Sequence, residues 1–94
     1  MEISFFCLAS GSSGNCFYLC ADDTAILIDA GLSQRHVKKA LKEKNLSLSK
    51  VKGIFVTHDH ADHIKGVSTL SNENVIPVYA TAEVHKGMKK SYCM

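Results

Sequence analysis

The sequence predicts a mixed α/β fold, and two observations lead to that class. Short apolar segments of strand length alternate with segments of helical periodicity, and turns rich in Gly, Ser, Asp and Asn separate them. A cluster of His and Asp directly follows the most continuous apolar segment, and open α/β sheets hold their ligand sites at the carboxyl ends of strands. The 94 residues suit a single domain, with 46% hydrophobic and 21% charged residues.

The first three predicted strands lie at about 3–8, 16–20 and 25–29. The aromatic and branched residues of the first indicate a buried strand, and the other two form a β-hairpin. Cys16 and Cys20 would face one side of the sheet, and we expect them to be buried and reduced. The loop between the first two strands is open to two interpretations: a flexible linker, which the pattern alone favours, or a backbone cradle for an anion. Its candidate ligand-binding residues are Ser12, Ser13 and Asn15.

A helix at about 34–44 should begin after Ser33, which is a favourable N-cap residue. Its basic side chains predict a solvated face. A fourth strand at about 52–57 is continuously apolar, which predicts burial on both faces. A second helix at about 63–71 should stop at Asn72, and Pro77 makes the fifth strand, at 76–79, an edge or irregular one. A last helix should start at Thr81 and end near Gly87.

Three imidazoles and two carboxylates fall within seven residues after the fourth strand, which predicts a metal site. His58 and His60 would point to the same side of an extended segment, and Asp62 and His63 follow where the chain turns into a helix. Asp59 alternates with the histidines and is not expected to be a ligand. Asp29 ends the third strand, where it either caps the next turn or supports a metal ligand by accepting an imidazole N–H.

Composition narrows the class of protein. The net charge of +2 is too small to indicate nucleic acid or an anionic membrane as a partner. No apolar segment approaches the roughly 20 residues that a membrane span needs. We find no export signal, and therefore expect a cytoplasmic protein with reduced cysteines.

These residues together resemble the metallo-β-lactamase superfamily. Its His-x-His-x-Asp-His signature is matched by His58, His60, Asp62 and His63, and its strand-closing aspartate by Asp29. The stretches 8–15, 57–67 and 76–81 are similar to the WalJ-like (YycJ, VicX) branch. The resemblance implies that residues 1–94 are the N-terminal part of one αββα sandwich domain, with a mixed sheet and flanking helices. It also implies a metal-dependent hydrolase, associated in that branch with exonuclease activity on DNA.

The resemblance further implies a centre of two divalent cations, with zinc expected and manganese as the alternative. His58 and His60 would hold one ion, Asp62 and His63 the other, and Asp62 would also orient the attacking water as a catalytic residue. The later ligands of the family, two histidines and a bridging aspartate, have no match here. We therefore expect a fragment that binds at most one ion weakly, is inactive alone and associates with itself through an uncovered face. The alternatives are a non-catalytic metal-binding module and a thioester or lactam hydrolase.

Overall fold

Within the described part of the chain, five strands form one mixed sheet with three α-helices. The computed structural model describes residues 2–11, 14–58 and 64–91. The sheet order is β1-β2-β3-β4-β5, antiparallel from β1 to β3 and parallel from β3 to β5. The predicted α/β class is confirmed. In chain order the elements are β1 (Ile3–Ala9), β2 (Cys16–Ala21), β3 (Thr24–Ala30), α1 (Gln34–Glu43), β4 (Val51–Phe55), α2 (Val67–Asn74), β5 (Val78–Tyr79) and α3 (Ala82–Ser91).

The predicted bounds of the first three strands and of α1 agree with the structure to within one residue at each end. The β2–β3 hairpin closes at the pair Ala21 and Thr24, and Asp22 takes a left-handed φ of 55° in its turn. Asp tolerates that region better than most residues because its short polar side chain can bond locally. Ser33 caps α1 as predicted, since its side chain accepts a hydrogen bond from the His36 backbone N–H.

The prediction that β1 is a buried strand is wrong, because β1 lies at an edge of the sheet. It pairs with β2 on one side, and alternate side chains on one of its faces are open to solvent. Ile3 is 65% exposed and Phe5 58% exposed. The other face contributes Phe6 and Leu8 to the margin of the core.

The last two strands are shorter than predicted. β4 ends at Phe55 rather than at 57, and β5 begins at Val78 rather than at 76. Pro77 has no N–H to give to the ladder, which confines regular pairing to the residues after it. Backbone hydrogen bonds between the two segments nevertheless reach one residue beyond these bounds. Ile54 N donates to Pro77 O at 3.0 Å, and Val56 N donates to Tyr79 O at 2.9 Å. Burial of β4 on both faces is also wrong, because Phe55 is 41% exposed.

The second helix differs from its predicted span of 63–71. Ile64 is helical, Lys65 and Gly66 form a turn, and α2 extends from Val67 to Asn74. The helix continues past Asn72, and the Asn74 side chain donates to Leu70 O at 3.0 Å. It ends where Val75 adopts a left-handed conformation with φ 54° and ψ 52°. The start that was predicted at His63 lies outside the described residues.

The last helix is also longer than predicted, since α3 continues past Gly87 to Ser91. Thr81 caps it as expected, because the Val84 N–H donates to Thr81 Oγ1 at 3.2 Å.

The core lies on one face of the sheet, beneath α1 and α2. The largest fully buried side chains come from the strands and from both helices: Tyr18, Leu27, Leu41, Ile54, Leu70, Val37, Val67 and Cys16. The opposite face carries half-buried and exposed apolar residues that the strand register places in adjacent rows. We call this the open face; its members are Ile3, Phe5, Phe17, Leu19, Ile26, Ile28, Phe55 and Tyr79. Aromatic rings stack along it, with Phe5 on Phe17 and Phe55 on Tyr79.

Candidate metal centre

A buried carboxylate joins the ends of two parallel strands. Asp29 lies near the carboxyl end of β3 and is 3% exposed. Its Oδ1 accepts a hydrogen bond of 2.7 Å from the Thr57 N–H, and its Oδ2 accepts one of 2.7 Å from the Thr57 hydroxyl. Thr57 follows β4, the parallel neighbour of β3. Asp29 thereby fixes the backbone at the residue that enters the His and Asp cluster.

The same hydroxyl reaches His58. Thr57 Oγ1 lies 2.9 Å from His58 Nδ1. A hydroxyl has one proton, and Thr57 gives that proton to Asp29, so it can only accept from the imidazole. His58 Nδ1 therefore carries the ring proton, and Nε2 is the nitrogen with a lone pair. This is the tautomer that a metal-ligating imidazole needs, held by the partner of its other nitrogen.

Asp29 itself has an unusual backbone. Its φ is 62°, in the left-handed region, although the residue lies within β3. That conformation costs roughly 1–2 kcal/mol for an L-residue, somewhat less for Asp. The two bonds from Thr57 hold the carboxylate in place against this cost. Such local strain at a buried polar group is a feature of functional sites.

The segment after Asp29 is where three parts of the chain meet. The loop before β2 is anchored here, since Gly31 N donates to Asn15 O at 2.9 Å. The turn before α2 is anchored beside it, since Gly66 N donates to Ala30 O at 2.7 Å. At Gly66 any Cβ would lie 2.0 Å from Leu32 O, so only glycine fits this approach.

Asn15 holds its own loop closed. Its Oδ1 accepts from Gly11 N at 3.1 Å and its Nδ2 donates to Gly11 O at 2.9 Å. Gly14, with φ 150°, packs so closely on Gly31 and Leu32 that a Cβ would meet Gly31 O at 2.9 Å. The described part of this loop is thus fixed against the segment after Asp29, which disfavours the flexible linker. Ser12 and Ser13 lie outside the described residues.

The structure accounts for the predicted metal residues unevenly. It connects His58 to Asp29 through hydrogen bonds of the Thr57 hydroxyl. The sequence pattern did not indicate this role of Thr57, although Thr57 immediately precedes the first His of the signature. His60, Asp62 and His63 lie outside the described residues, as does Asp59. In the described ranges no three His, Cys, Asp or Glu side chains converge. None of the helices described is long and apolar enough to span a membrane.

A buried thiol lies beneath this site. Cys16 is fully buried next to the segment after Asp29, since it pairs with Ala30 in the sheet. The pKa of the Cys16 thiol is raised to about 12. Burial is the main cause, and the charges of Asp29 and Cys7 add to it. Cys16 is therefore a neutral core residue at physiological pH, as predicted. The Cys7 and Cys20 thiols are also free, but Cys20 is only half-buried, so its predicted burial is wrong.

Comparisons with known sequences identify relatives of this chain. The sequence profile described as "Metallo-beta-lactamase superfamily" matches residues 9–92. The chain is 42% identical over 89 residues to exodeoxyribonuclease YycJ of Bacillus anthracis, which is 95% of this chain and 34% of that protein. It is 40% identical over 84 residues to exodeoxyribonuclease WalJ of Streptococcus pneumoniae serotype 2, which is 89% of this chain and 31% of that protein. The chain thus spans about a third of the length of these relatives.

Solved structures agree on the fold. The chain superposes on a metallo-beta-lactamase of Cronobacter sakazakii with a HARLDQ motif at a TM-score of 0.80, over 92% of this chain and 32% of that one. The identity is 19%, so this likeness concerns the fold alone.

Proposed function

The chain belongs to the metallo-beta-lactamase superfamily, and from that membership we propose that it supplies the first metal ligands of a phosphodiester hydrolase of the DNA exonuclease type. The observation that carries this proposal is the chain of contacts from Asp29 through Thr57 to His58. It holds the first signature histidine by its Nδ1 just beyond the carboxyl end of β4. The names of the relatives, exodeoxyribonucleases, support the substrate class.

The donor set of the signature suits divalent cations. Imidazole nitrogens and a carboxylate are the ligands that zinc accepts, and manganese is the alternative. We assign His58 and His60 to one ion, and Asp62 and His63 to a second. Bound cations would supply a water of lowered pKa and would stabilise charge on the phosphoryl oxygens. Asp62 is proposed to orient that water by accepting one of its protons in a hydrogen bond.

Supporting roles are proposed for two more residues. Asp29 fixes the Thr57 backbone and hydroxyl, and Thr57 fixes the ring of His58. The loop carrying Ser12, Ser13 and Asn15 is proposed to face the substrate, because Asn15 O anchors it beside Ala30 and Gly31. Backbone N–H groups in a glycine-rich loop would suit the phosphate oxygens of a nucleotide.

We further propose that residues 1–94 are the N-terminal part of one metallo-β-lactamase-fold domain. The open face supports this, because apolar strands in a sandwich are normally covered by a second layer. In a polypeptide of these residues alone, we propose that a second copy covers the face.

A cytoplasmic location is part of the proposal, supported by the free thiols of Cys7, Cys16 and Cys20.

Zinc titration tests the ligand assignment. The four signature residues divide between two positions, whereas a catalytic zinc usually has three protein ligands. We expect the 94-residue polypeptide to bind at most one zinc ion, weakly, and His58→Ala to weaken binding further. Lys86→Gln, an exposed substitution in α3, is the control and should bind as the parent does. Two tight ions per chain, or binding that is indifferent to His58→Ala, would contradict the assignment.

Activity assays test the reaction type. The metal-loaded polypeptide should leave end-labelled DNA intact, because its ligand set is incomplete. Reading the coding frame past codon 94 for a downstream His, Asp and His is the companion observation. A longer polypeptide with those residues should release nucleotides from a DNA end and lose this activity with His58→Ala. Hydrolysis of a β-lactam or a thioester, with DNA left intact, would refute the nuclease assignment.

A further inference from the structure

The chain concentrates its positive charge in one segment. Residues 34–52 contain seven basic residues and one acidic residue, a net charge of +6. The remaining residues contain four basic and eight acidic residues, a net charge of −4. The small total of +2 therefore conceals two regions of opposite sign, and such charge asymmetry is typical of proteins that bind polyanions.

The fold places four of these charges along one side of a helix. Val37 and Leu41 are the buried residues of α1. The opposite side presents a basic stripe of Arg35, Lys38, Lys39 and Lys42, all exposed. Spacings of three, four and seven residues align them on the helix surface. At 1.5 Å per residue the basic stripe extends about 10 Å, which is longer than a single phosphate group.

A cavity of about 380 Å³ adjoins the stripe between α1 and residues 45–49. Lys38 and Lys42 line it from the helix, and Ser47 and Ser49 line it from the loop. Among the described residues that line it, none is Asp or Glu. Ammonium and hydroxyl groups together are the donors that phosphate oxygens accept.

The loop that forms this cavity is held in place. Leu46 N donates to Leu41 O at 2.8 Å, and the hydroxyl of the buried Tyr18 donates to Ser47 O at 3.2 Å. Ser47 Oγ accepts from Ser49 N at 3.1 Å. The cavity is therefore preformed, which reduces the entropy lost when a ligand binds.

One end of the stripe lies toward the edge of the sheet that carries the candidate metal centre. β3 and β4 are parallel neighbours, so α1 must return the chain from the carboxyl edge of the sheet to its amino edge. Arg35 is six residues after Asp29 and lies near the carboxyl edge, while Lys42 lies toward the amino edge. The stripe thus leads away from the metal centre along the outside of the domain.

We infer that the basic stripe and its cavity bind the phosphate backbone of the nucleic acid, away from the bond that is cut. This rests on the proposed function, because it concerns the same substrate. A nucleic-acid strand is favoured over a small anion because the charges extend over more than one phosphate spacing. Phosphate contacts of this kind add affinity and register without reading sequence.

Fluorescence anisotropy with a labelled 20-nucleotide single strand tests the inference. EDTA in the buffer keeps the measurement independent of metal and of cleavage. Lys38→Gln/Lys42→Gln should weaken binding about tenfold and reduce the slope of log affinity against log salt by roughly 1.4, about 0.7 per lost phosphate contact. Lys42→Gln alone should reduce the slope by about half as much, roughly 0.7. Lys86→Gln is the matched control on α3 and should change affinity less than about twofold.

The outcomes separate this inference from the proposed function. Absence of binding by the parent chain, unchanged binding by the double variant, or an equal loss with Lys86→Gln would overturn it. Equal competition by inorganic phosphate and by DNA at the same phosphate concentration would also overturn it, in favour of a small-anion site. A third outcome separates the two proposals. If the double variant selectively loses DNA binding, but a longer, metal-loaded polypeptide does not hydrolyse DNA, only the nuclease assignment is refuted. Circular dichroism of each variant checks that the exposed substitutions leave the fold intact.

Discussion

At the scale of single residues, the contact between Thr57 and its two partners decides the chemistry of the site. Its hydroxyl donates to Asp29 and accepts from His58, which fixes the imidazole tautomer. No periodicity indicates such a relay, since Thr57, whose N–H and hydroxyl both donate to Asp29, lies 28 residues from it in the sequence. Thr57 is not part of the signature, yet it joins the buried carboxylate of Asp29 to His58, the first proposed metal ligand.

Thr57→Val should weaken zinc binding about tenfold, in the range found when a hydrogen-bond partner of a ligand is removed. Valine has the shape of threonine but lacks the hydroxyl, so Nδ1 of His58 loses its acceptor and Oδ2 of Asp29 loses a donor. Competition with a chromophoric chelator measures the affinity. Thr57→Ser keeps the hydroxyl and should retain most of it; equal loss in both variants would mean that the methyl group, not the relay, matters.

The Cys16 thiol should make stability depend on alkaline pH. Its pKa is raised from 9.0 to about 12 in the folded chain, so the folded state retains a proton that the unfolded state loses. Stability is therefore unaffected well below pH 9 and falls between about pH 9 and pH 12. Between pH 8 and pH 10 the expected loss is about 1 kcal/mol.

Urea unfolding of the parent chain and of Cys16→Ala measures this effect. The alanine variant loses stability at neutral pH because a buried side chain is shortened, but it should show the shallower decline above pH 9. Parallel curves for the two proteins would show that Cys16 titrates normally when folded.

At the scale of elements, α2 ends under strain. Val75 is a β-branched residue in the left-handed conformation and is 89% exposed, so the fold gains little from its side chain. Glycine is the residue that usually occupies this position after a helix. The sequence did not predict the strain, because Val75 stood at the start of an apolar segment that resembled a longer strand.

Val75→Gly should raise the free energy of unfolding by about 0.5–1 kcal/mol, since relief of the left-handed strain exceeds the added chain entropy. Thr69→Gly is a matched control at an exposed position inside α2, and it should lower stability by roughly 0.5–1 kcal/mol. Chemical denaturation measures both. A destabilised Val75→Gly would mean that the valine side chain makes a contact worth more than the strain.

At the scale of the whole molecule, the sheet has one covered and one open face. The covered face packs Leu27 and Ile54 beneath the helices, while Phe5 and Tyr79 on the other face remain 58% and 49% exposed. Contiguous exposed apolar surface of this kind drives association. Among the described residues β1 pairs on one side only, so its other edge adds backbone groups that can pair with a second chain.

We expect the 94-residue polypeptide to associate through the open face at micromolar concentrations. Ile3→Ser/Phe5→Ser should shift it toward the monomer, since both side chains are more than half exposed in the single chain. Sedimentation velocity measures the shift. Val75→Ser removes an exposed apolar side chain beside the covered face and should leave association unchanged; a monodisperse parent monomer would contradict the prediction.

The sequence by itself determined the elements that depend on local patterns. Short apolar segments, the Ser33 cap and the turn that contains Asp22 predicted β1 to β3 and α1, because the forces that define them act within a few residues. The signature histidines and aspartates predicted a metal site for the same reason, since one short segment carries all four candidate ligands.

The tertiary structure alone decided what depends on distant contacts. It interrupted the predicted second helix at Gly66, because the backbone there approaches Ala30 and Leu32. It placed β1 at an edge, because burial depends on what packs against a strand rather than on its composition. It joined Asp29 to His58 through Thr57, because hydrogen bonds between strand ends follow from the parallel pairing of β3 and β4, which no local pattern contains.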